Sequence, residues 1–230
     1  MKRLLYTTLF VGLVLILAVA AVFALKGPAP AQTAAAAPAA SSAPASALAP
    51  TATNYYNVIS MPLDSQQQFA DAGYNFDSQG LANMVPGTVQ VLRWKNDTQS
   101  YQTYTPGLDT PFALEVGGVY RLLLDSTANN VVSFVGDVPP KSTETGHKVY
   151  SLYGGSPCEY NVVAIPLDRS DIQDSQDLAN EISGTQQVLQ WKADTQSYQT
   201  FTPGLDTPFP VKIGYPYRVC LDGSAPPQWP

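Results

Sequence analysis

The pattern of apolar and polar positions divides the chain into three regimes. Leu4–Leu25 is a stretch of 22 residues without a charge, preceded by Lys2 and Arg3 and followed by Lys26. As a helix rising about 1.5 Å per residue it would reach roughly 33 Å, enough for a hydrocarbon core of about 30 Å. The leading cations predict a cytoplasmic N-terminus, with everything after Lys26 outside. The rival expectation is a cleaved signal peptide. Val22-Phe23-Ala24 offers small residues where a signal peptidase reads, but the apolar run exceeds the ~7–15 residues usual for one. That length favours the uncleaved anchor. Residues 27–53 then hold 13 Ala and 5 Pro without a charge, and the prolines interrupt every helix long enough to persist in water. This segment is expected to be a semi-extended spacer.

From residue 54 the period shortens. Ile59/Met61/Leu63 and Val163/Ile165/Leu167 place apolar residues at every second position, which predicts strands with one face in a core. Pro62 and Pro166 mark these strands as edges, because proline cannot donate to a ladder. Asp174–Gly184 predicts a short helix, with Asp or Ser as N-cap, Leu178 and Ile182 on one face, and Gly184 as the stop. Leu81 and Val85 echo it before Pro86-Gly87, and Gln66–Asn75 reads as a surface loop. Val91–Lys95 with Tyr101–Thr105, and Val188–Lys192 with Tyr198–Thr202, predict hairpins around polar turns. Phe112–Val116 and Tyr120–Leu124, like Phe209–Ile213 and Tyr217–Leu221, predict further strands. Val131–Val135 and Lys148–Tyr153 are expected to complete the sheets of a first and a second unit.

Those units are copies of one another. Tyr56–Asp64 matches Tyr160–Asp168 at an offset of 104, and from Asp77 to Asp125 the offset is 97, with 33 identities over 49 positions. A duplication explains this, with an insertion in the first copy between Asp64 and Asp77. The predicted organisation is an N-terminal signal-anchor over 1–26, a disordered linker over 27–53, and β-rich modules over 54–140 and 141–230. The fold class is mainly β with one short helix per repeat. Two tandem small sandwich or partly open barrel modules would follow the N-terminal transmembrane helix.

Each copy runs Tyr-Asn, then Pro-Leu-Asp, a short helix, Val-Leu-x-Trp, Thr-Gln-Ser-Tyr-Gln-Thr, Pro-Gly, and Gly-x-x-Tyr-Arg. Phe134-Val135-Gly136-Asp137-Val138-Pro139 and Leu152-Tyr153-Gly154-Gly155 add to the pattern. Over most of residues 55–222 this resembles the duplicated β-rich modules of secreted or surface-attached bacterial proteins, which have related versions in archaeal envelope proteins. The resemblance implies a location and a repeat architecture. It carries over no catalytic residues, and the copies part where Gly118-Val119 faces Tyr215-Pro216.

Composition narrows the chemistry. Without Lys2, Arg3 and Lys26, 9 basic residues face 18 acidic ones, all beyond residue 53, for a net charge of −9. Such a surface repels phosphate backbones, so nucleic acid is not an expected partner. One histidine, His147, and two cysteines exclude a His- or Cys-rich metal cluster, and no cofactor motif is present. Cys158 and Cys220 both lie in the second copy, where Asn54 and Leu123 are their counterparts, and in an oxidising compartment they read as a structural disulfide. Trp94, Tyr101 and Tyr104, with Trp191, Tyr198 and Phe201, cluster on the hairpins. Exposed, they would form a recognition face for sugar or protein; buried, they fill a small core.

Asp168, Asp171, Asp174 and Asp177 recur every third residue, which suits helix capping and a solvated face better than a calcium loop. Ser156 lacks a nucleophile-elbow frame, His147 sits in the least repeat-like stretch, and Asn96-Asp97-Thr98 matches a glycosylation sequon that Ala193 breaks in the second copy. The expectation is a noncatalytic protein of the bacterial cell envelope, with the membrane as partner through Leu4–Leu25 and a cell-wall glycan or envelope protein as the ligand class. If the signal is cleaved the modules are secreted. The alternative is a secreted glycan- or peptide-hydrolysing enzyme that uses Asp64 and Asp168 at equivalent strand ends.

Overall fold

In a computed structural model the described residues are 46–47, for their backbone, with 54–125 and 131–230. Residues 1–45 lie outside them, and with them the expected anchor; among the described residues no helix is long and apolar enough to cross a membrane. Ala40–Pro230 forms one compact unit that holds two hydrophobic cores, one per copy.

The protein is mainly β, built from antiparallel sheets. In the first copy the strands are β2 (Tyr55–Ser60), β3 (Thr88–Lys95), β4 (Ser100–Tyr104) and β5 (Val119–Leu124), in the order β2-β5-β3-β4. In the second, β8 (Glu159–Ala164), β9 (Thr185–Lys192), β10 (Ser197–Phe201) and β11 (Pro216–Leu221) repeat that order as β8-β11-β9-β10. The strands that run into Pro62 and Pro166 are edges, where a missing N–H costs no ladder bond. One face of each sheet packs on a helix: α2 (Ser78–Met84) covers the first and α3 (Ser175–Glu181) the second. Ile59, Val91, Tyr104, Tyr120 and Leu122 fill the space beneath α2, with Leu81 from the helix and Val85 from its C-cap. Asp77 and Asp174 are the N-caps, and Asp177 closes a capping box at the second, worth about 1 kcal/mol.

Three expectations are corrected. Gln66–Asn75 is not a plain loop, because Gln66–Asp71 forms a helix, α1, that buries Phe69 against Phe76 at 5.1 Å. A single large apolar residue leaves no periodic signal for so short a helix. Phe112–Val116 and Phe209–Ile213 are not strands. They dock on the helix N-termini, where Ser78 and Ser175 each exchange hydrogen bonds with the backbone of Phe112 and Phe209. Third, neither connecting segment joins a four-stranded sheet. β6 (Val131–Val132) pairs with β1 (Ser46–Ala47), and β7 (Tyr150–Ser151) pairs with β12 (Gln228–Trp229), while Val132, Phe134, Tyr150 and Leu152 enter the two cores. These ribbons obey the repeat too, since Ser46↔Val132 and Tyr150↔Trp229 are equivalent by the offsets of 104 and 97. Strand β1 thus falls within the stretch read as linker. The four-stranded sheet of each copy carries apolar residues on both faces, and the second faces meet each other.

Candidate functional site

Side chains alternate across a strand, so Trp94 and Tyr101 share one face of the first sheet while Tyr104 takes the other. Tyr104 and Phe201 accordingly sit in their own cores, 2% and 0% exposed. The hairpin aromatics do not act as one cluster. Trp94, Tyr101, Trp191 and Tyr198 instead line the junction of the two sheets, with each Trp edge-on to its Tyr at 4.9 Å.

The contacts there are reciprocal. Trp94 Nε1 donates to the Tyr160 carbonyl at 2.9 Å and Trp191 Nε1 to the Tyr56 carbonyl at 2.9 Å. Gln99 and Gln196 hold left-handed turn positions (φ 49° and 52°), which aim their amides at the opposite copy. Gln99 accepts from Tyr160 N–H and donates to its carbonyl (2.9 and 3.0 Å); Gln196 does the same to Tyr56 (2.8 and 3.0 Å). Each amide pairs with the outward backbone of an edge strand, β8 or β2, and so blunts an edge that would otherwise recruit another strand. Arg121 lies over the rings of Tyr56 (3.8 Å) and Trp191 (4.6 Å), and Arg218 over Tyr160 (4.0 Å) and Trp94 (4.5 Å). The polar turn predicted the hairpin, but nothing in that reading marked Gln99, Gln196, Arg121 or Arg218. The available signal was a glutamine, identical in both copies, at a turn position that ordinarily favours Gly or Asn.

Where the copies differ, the junction is asymmetric. Ser60 Oγ donates to the Gly214 carbonyl, whereas Ala164 at the matching position has no hydroxyl and Tyr150 Oη donates instead to the Gly117 carbonyl at 2.7 Å. Burial pushes the Tyr150 hydroxyl far above its ordinary pKa, so it remains a donor. Asn96 donates to the Ser151 carbonyl (2.9 Å) and accepts from Val162 N–H (3.2 Å), which commits the sequon's amide to structure. Along this side run clefts of about 300 and 440 Å³; the larger is lined by Arg93, Lys95, Asp97, Lys148 and the half-exposed Tyr153.

The remaining candidates are dispersed. Cys158 and Cys220 form a disulfide that ties the start of β8 to β11, with Cα atoms 5.5 Å apart. Asp168 accepts from the N–H and hydroxyl of Ser142 (2.9 and 2.7 Å); desolvation opposes ionisation, but these bonds outweigh it and hold the carboxyl below its usual range. Asp64 accepts from Gln66 N–H at 3.2 Å, and its backbone bridges Asp137. Asp171 pairs with Arg169, while Asp174 and Asp177 cap α3. His147 Nδ1 lies 2.6 Å from the Glu144 carbonyl. Among the described residues no group of three His, Cys, Asp or Glu side chains is placed to hold a metal.

Glu115 joins Lys148 of the connector (2.6 Å) and Arg93 of β3 (3.2 Å). The Lys148 hydrogen bond is the main force holding its carboxyl below the ordinary value. Because the folded pKa is the lower one, this stabilisation is present above the unfolded pKa and is lost as pH falls through the folded one. Glu115 is half exposed, so Glu115→Gln should cost under about 1 kcal/mol at neutral pH. Urea midpoints of parent and variant should converge on acidification; an unchanged gap at acid pH would refute the linkage. No family model, curated protein or solved structure matches the chain.

Proposed function

We propose that this is a noncatalytic extracytoplasmic envelope protein. Leu4–Leu25 serves as the transmembrane anchor, the Ala/Pro-rich stretch as spacer, and the two β-modules as one joined head. Its working surface takes part in protein or glycan recognition, or in plain spacing. The observation that carries this reading is the reciprocal junction: the side chains best suited to chemistry or stacking are spent on holding the copies together. Recognition then falls to the outer surface. There the identical loops Thr105–Phe112 and Thr202–Phe209 each expose a leucine, Leu108 at 83% and Leu205 at 84%. Asp109 and Asp206 brace the loops by accepting from the N–H of Thr105 and Thr202, both at 2.8 Å. Two equal apolar knobs on one compact unit suit a two-point contact, in which the second attachment is intramolecular.

The test has two arms. Protease added to intact host cells should remove a C-terminal tag, and protection of the tag until lysis would overturn the extracytoplasmic location. Residues 40–230 should then co-sediment with the host's wall sacculi in a saturable way, and Leu108→Ser/Leu205→Ser should abolish it without changing the fold. Saturable binding unaffected by that change would move recognition away from the loops, and no binding would leave spacing as the role.

A further inference from the structure

The centre of the junction is lined by two partly exposed arginines and by no carboxylate. Arg121 and Arg218 reach it from opposite copies, and neither forms an ion pair among the described residues. Their main partners are ring faces, with Arg121 also 6.0 Å from the Tyr101 centroid and Arg218 also hydrogen-bonded to the Tyr198 side chain. Ring faces attract a cation but accept none of the in-plane N–H groups. The Nε–H of both arginines is buried without a protein partner. An N–H buried without an acceptor is costly, and two like charges facing one space add to that cost.

Between the sheets, bordered by both guanidiniums, both tryptophans, Tyr101 and Tyr198, lies a cavity of about 30 Å³. That is room for a particle the size of one or two waters and too little for a phosphate or a sugar. We propose that this cavity binds a single halide-sized monovalent anion, held by Arg121 and Arg218 across the pseudo-twofold axis that relates the copies. The tyrosine hydroxyls add to the donor set. Burial, and then the neighbouring Tyr101, raise the Tyr198 pKa and outweigh the lowering pull of Arg218 and Arg121, so the hydroxyl stays protonated and able to donate. The surrounding acidic surface does not compete, because the cavity walls contribute no carboxylate. The anion would act as a structural pin, bound only when both copies are docked.

Chemical denaturation of residues 40–230 in sodium bromide against sodium fluoride, at matched ionic strength, tests this, since fluoride is the more strongly hydrated ion and enters such a site less readily. Above the dissociation constant, each tenfold rise in bromide should raise the folding equilibrium constant about tenfold, as for one ion bound only to the folded state. Bromide-soaked crystals should show one anomalous peak between the two guanidiniums. Arg121→Gln/Arg218→Gln should abolish both signals; if that variant does not fold, the parent's bromide response and crystal peak still decide. Superimposed curves in the two salts, or a crystal with no peak and water in the cavity, would overturn the proposal.

Discussion

Trp94→Ala combined with Trp191→Ala should lower the stability of residues 40–230 by roughly 4–6 kcal/mol, against about 3–5 kcal/mol for each fully buried Trp→Ala. The discount reflects half-buried rings and the shared environment of the two sites, which makes the losses non-additive. Each substitution removes a hydrogen bond to an edge-strand carbonyl, an edge-on tyrosine contact and one ring under an arginine. Left without that ring, Arg121 and Arg218 keep their charge and lose part of its compensation. Both cores lie on the opposite sheet faces, beneath α2 and α3, so each copy retains its own apolar interior. The expected result is therefore an early loss of near-ultraviolet dichroism, followed by separate unfolding of the two copies in urea. A single transition within about 1 kcal/mol of the parent would refute the role assigned to the junction.

Reduction of the disulfide should act on one copy alone. Cys158 and Cys220 are 62 residues apart, and closure of such a loop is worth about 4 kcal/mol in the chain-entropy model. The bond joins the edge strand β8 to β11, with which β8 makes its ladder, so its loss frees an edge that the first copy secures without a covalent tie. Cys158→Ser/Cys220→Ser should ease local opening of the second copy ahead of the global unfolding of the joined head. Hydrogen exchange would report this as faster exchange along Glu159–Ala164 with Tyr55–Ser60 unchanged. Equal acceleration in both strands would show that the junction couples the copies tightly enough to share the loss.

What could be read from the residues follows the physics of each signal. Period-two alternation places Ile59, Met61 and their counterparts on a buried face, and the hairpin strands emerge from β-branched and aromatic runs around a polar turn. The second helix of the pair is announced by its acidic cap and by Leu178 and Ile182 four residues apart. Alternation along Tyr101–Tyr104 already separates the two tyrosines, one to each face, a consequence that grouping the hairpin aromatics concealed. Helix α1 was hidden because Phe69 alone carries its burial.

Sequence by itself determined the duplication, the β-rich class, the short capped helices, the edge strands and the two cysteines that pair, because all of these depend on residues near one another or on comparison of the chain with itself. Only the tertiary structure decided which second face each sheet would bury, since both faces carry apolar residues and local pattern cannot name a partner. It also decided the roles of Gln99, Gln196, Arg121 and Arg218. Their chemistry is ordinary in isolation and acquires meaning only against strands and rings that lie up to 140 positions away in the chain.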